Sequence, residues 1–414
     1  MLVSFSVENF KSIKEKQTIY MDIAKKYSSN NKKAILKDNI IEINDINEYN
    51  YLLKSACIYG ANASGKSKFI ESFAVFKTFF DSEWRELNDK ITVFSPFLFD
   101  NKYLKNKPTF FEIEFILNEN NINNLYKYSF SFNYNGIISE KLEKNNDILY
   151  NIVDINNNIY TFSKLFNANY SEILVKIKNK KYVNLFLREF VNEGNSDFLN
   201  NIFTFLKTKL FIINSNCSIN YTIDKMDNDI FKKNILSLLK KSNDTIEDIH
   251  KEEFKDIPDS LLSFIKSTNK IVCRHKNGIL KLTEESDGTI LMFHLAGYIL
   301  EVLYNGGILF FDELDKSLHP DLLIYIVRLF HNPSVNIGNG QIIFTVHNDI
   351  LLEKELKLFR RDQIYFITKD STEASRLYSL CEFNNVRIRD NIVDLYRQIC
   401  FGARPILIDF FWEK

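Results

Sequence analysis

Gly60-Ala61-Asn62-Ala63-Ser64-Gly65-Lys66-Ser67 is the stretch of this sequence that decides its fold. It matches the phosphate-binding pattern Gly-x4-Gly-Lys-[Ser/Thr] at every required position. Residues 55–59, just before it, are mostly apolar, as a buried strand is, and residues 67–77 carry apolar side chains at helical spacing. The sequence therefore predicts a nucleotide-binding loop between a strand and a helix, whereas a chance Gly-Lys-Ser turn would not need those flanks.

Each part of this loop has a physical role toward a bound phosphate. Small residues let successive backbone N–H groups turn inward, and the helix N-terminus adds the positive end of its dipole. Lys66 is expected to neutralise the outer phosphates, and the Ser67 hydroxyl is expected to bind Mg²⁺. The predicted nucleotide contacts are Gly60, Asn62, Ala63, Ser64, Gly65, Lys66, Ser67 and Lys68.

The composition limits the classes to which the protein can belong. Its 414 residues suggest two or three folding units, and its 53 basic and 53 acidic residues give no net charge. Nothing global therefore calls for nucleic acid or a membrane surface. The five cysteines are scattered without a Cys-x-x-Cys pair, which argues against a disulfide framework or a zinc site. No apolar run is long enough to cross a bilayer, so we expect a soluble cytoplasmic protein.

The chain divides into three segments by pattern. Residues 1–139 are predicted to form the first part of the nucleotide-binding unit, with antiparallel strands between 94 and 132. Residues 140–268 are rich in Asn and Lys with helix-length apolar spacing, and they predict a mostly helical insertion without sustained heptads. Residues 269–414 return to alternating helix and strand, beginning with a hairpin at 271–282. Basic runs in the insertion, such as 176–181, are either a solvated surface or a phosphate-backbone contact.

A second candidate element is the segment 307–313, an apolar run that ends in Asp312 and Glu313. It predicts a buried parallel strand whose carboxylates lie at the edge where ligands bind in open α/β sheets. Asp312 is expected to belong to the Mg²⁺ shell, and Glu313 to orient or deprotonate the attacking water. Many ordinary strands end in acids, so this interpretation depends on the phosphate loop upstream.

Two further polar segments belong to the candidate set. Ser286, Gly288 and Thr289 precede an apolar helix and predict either an anion-binding N-terminus or an ordinary N-cap. His347 follows the apolar strand 341–346 and is predicted to touch a γ-phosphate or polarise the attacking water, unless it is structural. The predicted catalytic residues are Lys66, Glu313 and His347.

The order of these elements, phosphate loop, Ser-x-Gly-Thr, acidic strand and His strand, resembles the layout of ABC-type ATPases. The resemblance implies an α/β fold: a P-loop ATPase head with a mixed sheet, flanking helices, an antiparallel β subdomain and a mostly helical insertion. It also implies ATP and Mg²⁺ as cofactors. A homodimer or higher homo-oligomer is implied, in which the Ser286 segment of one chain closes over the γ-phosphate held by the other. The Gln that such sites use after the first helix is absent from 92–100, where Asp100 or a carbonyl would substitute.

Further motifs resemble one branch of this class. Residues 7–12 resemble the Asn-Phe-[Lys/Arg]-Ser start of the RecF, SMC and OLD-type ATPases. Residues 312–320, in which Leu-His-Pro follows the acids, resemble the OLD and RloA/AbiL-like form, as do 284–289 and, more loosely, the tail 396–405. That branch includes the ATPase subunits of bacterial phage defence, such as the Septu type, which control a separately encoded nuclease or toxin. The resemblance thus implies an effector partner and a DNA or phage-protein trigger, and it makes 140–268 the candidate partner-binding region.

Two other functions stay open from the sequence. One is a RecF- or SMC-like ATP clamp in DNA repair, and the other is an ATP-binding scaffold or sensor with little turnover. The Leu-His-Pro segment and the missing heptads favour the defence ATPase over the clamp. Glu313 favours an enzyme over a scaffold.

Overall fold

The computed structural model describes residues 1–24, 37–46, 48–81, 91–99, 107–154, 157, 159–163, 184–192, 197–213, 218–251, 271–384, 386 and 390–405. Its strands are β1 (Leu2–Glu8), β2 (Gln17–Tyr20), β3 (Ile40–Glu42), β4 (Tyr51–Leu53), β5 (Ser55–Tyr59), β6 (Thr109–Glu119), β7 (Ile122–Asn133), β8 (Gly136–Lys144), β9 (Asp147–Asp154), β10 (Ile159–Phe162), β11 (Leu210–Ile213), β12 (Ile246–Lys251), β13 (Ile271–His275), β14 (Gly278–Lys281), β15 (Ile308–Phe311), β16 (Gln341–Val346), β17 (Ile364–Lys369) and β18 (Ser375–Ser379). Its α-helices are α1 (Lys66–Asp81), α2 (Phe186–Asn192), α3 (Asp197–Thr208), α4 (Asn220–Lys225), α5 (Asp229–Ser242), α6 (Asp287–Asn305), α7 (Pro320–His331) and α8 (Ile392–Arg397).

The central sheet has six strands in the order β11-β15-β16-β5-β17-β18. All neighbouring pairs are parallel except β17 with β18. Phe311 at the end of β15 pairs with Phe344, and Phe344 pairs with Cys57 of β5. The carboxyl ends of β15, β16 and β5 therefore meet at one edge of the sheet, the place where ligands bind in such folds.

Alternate residues of the central strands enter two separate cores. Ile58 and Phe310 lie in one core with helix α1, where Phe73 stacks on Phe310 with ring centroids 3.8 Å apart. Tyr59 and Phe311 lie in the other core with α6 and α7. Successive side chains of a strand point to opposite faces, so a sheet covered on both sides needs strands that are apolar throughout.

A seven-stranded antiparallel sheet, in the order β10-β9-β8-β7-β6-β1-β2, covers the other side of α1. Phe73 of α1 also stacks on Phe5 of β1 at 3.8 Å, and Phe76 stacks on Phe130 of β7 at 5.6 Å. Helix α1 therefore lies between the two sheets and belongs to both layers. The fold is mixed α/β, as predicted, and it is compatible with an ABC-type ATPase head.

The described residues of the segment 140–268 contain strands as well as the expected helices. Strands β8, β9 and β10 continue the antiparallel sheet, β11 is an edge strand of the central sheet, and β12 pairs with β13. The turn between β8 and β9 at Asn145-Asn146 takes positive φ angles of 49° and 70°, typical of a tight hairpin, although no Gly marks it. Helices α2 to α5 account for the helical periodicity.

The predicted hairpin at 271–282 is confirmed as β13 and β14, which form a three-stranded sheet with β12. Strands β3 and β4 form a separate pair. In the described part of the chain, no helix has the length and apolar character to cross a membrane.

Candidate functional site

The phosphate loop connects β5 to α1, as the sequence predicts. Ala63 and Gly65 have φ angles of 61° and 114°, and a Cβ on Gly65 would lie 2.1 Å from the Ser375 hydroxyl. Only glycine fits at position 65, because both the backbone angle and the space exclude a side chain. The Ser64 hydroxyl is buried and has no hydrogen-bond partner among the described residues. Buried polar groups are normally hydrogen-bonded, so a polar ligand at this loop would supply the partner.

The side chain of Lys66 lies inside this loop and is only 5% exposed. Its Nζ donates to the carbonyl oxygens of Gly60 (2.6 Å) and Ala61 (3.1 Å). Burial lowers the pKa of Lys66, and the carboxylates of Asp312, Glu313 and Asp315 oppose that shift. The predicted acids therefore face the predicted lysine. Of the remaining loop residues, Asn62, Ala63 and Lys68 are exposed and Ser67 is half-buried.

Two serines from opposite ends of the chain brace the loop. The Ser375 hydroxyl of β18 donates to the Ser64 carbonyl (2.7 Å) and lies 2.8 Å from the Ser12 hydroxyl. The Ser375 N–H also donates to the Ser12 carbonyl at 2.7 Å. Sequence reasoning missed Ser375, which is buried, because an isolated serine at the start of a strand carries no motif.

The two acids lie directly after β15 and share one partner, Thr345 of β16. The Thr345 hydroxyl donates to Asp312 Oδ1 at 2.8 Å and accepts from the Glu313 N–H at 2.7 Å. Glu313 has a φ of 58°, in the left-handed region that a residue with a Cβ seldom adopts. Thr345 is fully buried and was not predicted, since threonine within an apolar strand looks like an ordinary strand residue.

His347 follows β16 and faces Glu313. Its Nε2 lies 3.8 Å from Glu313 Oε1, and the two side chains are 40% and 38% exposed. Asp315 fixes this turn, because its Oδ2 accepts the N–H groups of both His347 and Asn348 at 2.8 Å. The phosphate loop, the acids and the histidine are thus brought together at one sheet edge.

The Ser286 segment lies outside that cluster. Ser286 is the N-cap of α6, and its hydroxyl accepts the Thr289 N–H at 3.3 Å and lies 3.0 Å from the Thr289 hydroxyl. Ser286 is exposed, and a Cβ on Gly288 would lie 3.2 Å from the carbonyl oxygen of Ser317, in the loop after the acids. Among the described residues, no hydrogen bond joins this segment to the phosphate loop.

The candidate site offers few metal ligands from the protein, which suits Mg²⁺ better than a metal ion that is coordinated by protein side chains alone. Within the described ranges, no group of three or more His, Cys, Asp or Glu side chains could hold a metal ion. Mg²⁺ usually takes one or two protein oxygens and completes its shell with substrate phosphates and water. Ser67 and Asp312 provide oxygens of that kind. Asp100, the suggested substitute for the missing Gln, lies outside the described residues.

Comparisons with known proteins place the chain in a family. A crystal structure of an SmcHead bound to the C-winged helix domain of ScpA has a TM-score of 0.43 and 14% identity, over 91% of this chain and 97% of that one. The SMC head domain from Thermotoga maritima has a TM-score of 0.41 and 12% identity, over 91% and 98%. No curated protein matches the chain in sequence. The family model described as "AAA domain, putative AbiEii toxin, Type IV TA system" matches residues 55–353, from the first residue of β5 to beyond His347. The chain therefore belongs to this family of AAA domains, and its fold is that of a P-loop ATPase.

Proposed function

We propose that this chain is an ABC-type ATPase subunit that dimerises around ATP and controls a separate toxic or nuclease effector in bacterial anti-phage defence. One observation carries the ATPase part. The phosphate loop, the acids after β15 and His347 meet at one sheet edge, while the exposed N-terminus of α6 makes no hydrogen bond to the phosphate loop among the described residues. A second chain would supply the missing side of the site.

The bound nucleotide would be ATP with Mg²⁺. The backbone of Gly60 and of Asn62, Ala63, Ser64 and Gly65 would surround the phosphates, Lys66 would neutralise the outer ones, and Lys68 would lie beside them. Ser67 and Asp312 would hold Mg²⁺, which when bound offsets the negative charge of the phosphates. The unpartnered Ser64 hydroxyl supports this proposal, because a phosphate oxygen would complete its hydrogen bonding.

Glu313 would act as the base that orients or deprotonates the attacking water. Its strained backbone is held by Thr345, and strain of this kind clusters at functional sites because the surrounding structure must maintain it. His347, 3.8 Å from Glu313, would contact the γ-phosphate or the same water. Asp315 would keep His347 in place through the two backbone hydrogen bonds.

Ser286, Gly288 and Thr289 would act on the nucleotide of the second chain. Backbone N–H groups and the dipole at a helix N-terminus favour a phosphate there. A twofold dimer is self-complementary, so the same contact would occur twice and close two ATP molecules between the chains. ATP binding would then drive closure, and hydrolysis would release it.

The defence role rests on the resemblance of residues 312–320 and on the family description, which names a putative toxin of a Type IV TA system. The segment 140–268 would bind the effector or sense a DNA or phage-protein trigger, because the ATP site is common to the class. The basic run 176–181 lies outside the described residues. Among the described basic residues of the segment, Lys232 of α5 lies 3.8 Å from Asp248, and both side chains are about a third exposed, which favours a solvated surface there.

The test measures oligomeric mass and ATP turnover together, with and without ATP and Mg²⁺. We expect Glu313→Gln to lower turnover at least about 100-fold, as the loss of a general base does, and to accumulate as an ATP-bound dimer or larger assembly. Lys66→Met, the matched control, should neither bind ATP nor assemble. If the wild type does not hydrolyse ATP and nucleotide leaves its mass unchanged, a scaffold is the better interpretation. Tight ATP-dependent DNA binding would favour the repair clamp.

A further inference from the structure

The side chain of Glu285, the residue directly before Ser286, takes part in a closed ring of hydrogen bonds that reaches the surface at Thr245. Its side chain is 3% exposed, and its Oε1 lies 2.6 Å from His275 Nε2. Its Oε2 accepts from the side-chain amide of Asn243 at 3.0 Å. Thr245 completes the ring, because its hydroxyl lies 2.9 Å from His275 Nδ1 and 2.7 Å from Asn243 Oδ1. We name these four residues the Glu285 ring.

The ring joins parts of the chain that are distant in sequence. Asn243 is the C-cap of α5, Thr245 precedes β12, and His275 is the last residue of β13. These elements form a small unit, α5 with β12, β13 and β14, whose buried residues share one core with α6. Glu285 is therefore the polar attachment between this unit and the start of α6.

The attachment matters because the Glu285 side chain is buried directly before the exposed Ser286, whereas the rest of α6 is held by its apolar residues in the shared core. Ser286 and Asp287 are exposed, and Gly288 approaches the Ser317 carbonyl of the acidic loop. A movement of the small unit would pull on Glu285 and shift Ser286 relative to that loop. Exposed ion pairs contribute little to the free energy of folding. A buried carboxylate such as that of Glu285 differs, because the loss of a partner leaves it without a hydrogen bond and favours a change in its position.

We propose that Glu285 is a positioning residue that couples the small unit to the Ser286 segment, so that the geometry of this unit determines how readily one chain closes over the nucleotide of the other. This inference rests on the proposed ATP-dependent dimer. It also gives part of the 140–268 segment a physical route to the ATP site, since Asn243 and Thr245 belong to it.

The expected effect follows from the fraction of molecules in the closing geometry. An apparent dissociation constant rises in inverse proportion to that fraction. Suppose that a variant of the Glu285 ring keeps the Ser286 segment in the closing geometry in about a tenth of molecules. The contact of that segment with the nucleotide of the other chain then weakens about tenfold. A twofold dimer uses the contact twice, so the dimerisation constant should weaken about 100-fold.

The experiment uses the full-length chain in the Glu313→Gln background, which is expected to accumulate the ATP dimer. Glu285→Gln removes the negative charge of the ring at the start of α6. His275→Leu removes the imidazole of the ring at the end of β13. Glu284→Gln is the matched control, because Glu284 is an exposed neighbour that only caps the Lys281 N–H. For each protein we measure the ATP-dependent dimerisation constant, the affinity of the monomer for a fluorescent ATP analogue and the melting temperature without nucleotide.

We expect both ring variants to dimerise about 100-fold more weakly than the parent and the control, with monomer ATP affinity within about twofold. Dimerisation equal to the parent would overturn the role of Glu285 and leave the ATPase proposal intact. A ring variant that bound ATP as a monomer about 100-fold more weakly and also melted at a clearly lower temperature than the control would overturn it too. The ring would then only stabilise the fold. If the parent itself does not dimerise with ATP, both proposals fail.

Discussion

Replacing Thr345 with Val tests whether one buried hydroxyl holds both acids of the candidate site. The hydroxyl donates to Asp312 at 2.8 Å and accepts from the Glu313 N–H at 2.7 Å. Valine has nearly the same shape as threonine but can neither donate nor accept. The substitution therefore removes both hydrogen bonds and leaves the packing of β16 almost unchanged.

The balance of energies predicts that Glu313 will move. A left-handed backbone costs a non-glycine residue roughly 1–2 kcal/mol. A neutral hydrogen bond contributes about 1 kcal/mol and one to a charged group about 1.5–3 kcal/mol, so the two lost bonds outweigh that cost. Without them, no side-chain hydrogen bond from Thr345 holds Glu313 at its φ of 58°, and only the backbone bond from the Leu314 N–H to the Thr345 carbonyl (3.1 Å) remains. A displacement of about 1 Å can cost about 100-fold in rate, so we expect kcat to fall by about that factor.

The assay is steady-state ATP turnover, with nucleotide affinity measured separately. Affinity should change by less than about threefold, because Thr345 acts on the chemical step rather than on uniform binding. Thr345→Ser keeps the hydroxyl and is the matched control, with kcat expected within about threefold of wild type. The reasoning would be refuted if Thr345→Val also hydrolysed ATP within that range.

Two further predictions concern the loop and the pH dependence of stability. Gly65→Ala should weaken ATP binding at least about tenfold and lower the melting temperature, since its φ is 114° and its Cβ would meet Ser375. Gly278→Ala, which meets nothing within 4 Å, is the control, and equal behaviour of the two variants would contradict the prediction. Burial, with the Lys54 charge, lowers the pKa of His331 to about 3. Below about pH 6.5 the unfolded chain binds a proton on His331, whereas the folded chain does not. The free energy of unfolding should therefore decrease as the pH is lowered, by about 2 kcal/mol between neutral pH and pH 5. Melting temperatures from pH 7.5 to 5 should fall more steeply for wild type than for His331→Gln, and parallel curves would exclude this cause.

The parts of the site that the sequence predicts are those that local patterns encode. The phosphate loop, Asp312, Glu313 and His347 each follow a short apolar strand, and the ends of parallel strands meet at one edge. The start of α6 at Ser286 is predicted for a similar reason, because a serine before an apolar helix is a good N-cap. In these cases the residues that cause the local structure lie within a few positions of the motif itself.

The residues that sequence reasoning missed act over long distances in the chain. Thr345 contacts acids more than 30 residues before it, and Ser375 contacts Ser12 and Ser64 from the other end of the protein. His275 and its partner Glu285 match no ligand-spacing pattern, so nothing in the sequence connects them. Such contacts depend on how the sheets bring segments together, which single-sequence patterns do not encode.

The position of β5 has a consequence for the synthesis of this protein. Its two neighbours in the central sheet are β16 and β17, which come much later in the sequence. At about 5–20 residues per second, a ribosome needs roughly 15–60 seconds to make the roughly 300 residues between Tyr59 and Lys369. Until β16 has been made, β5 has neither of its pairing partners, and no strand joins the phosphate loop to the acids after β15. A nascent chain therefore cannot assemble the candidate site until β16 and β17 have been made.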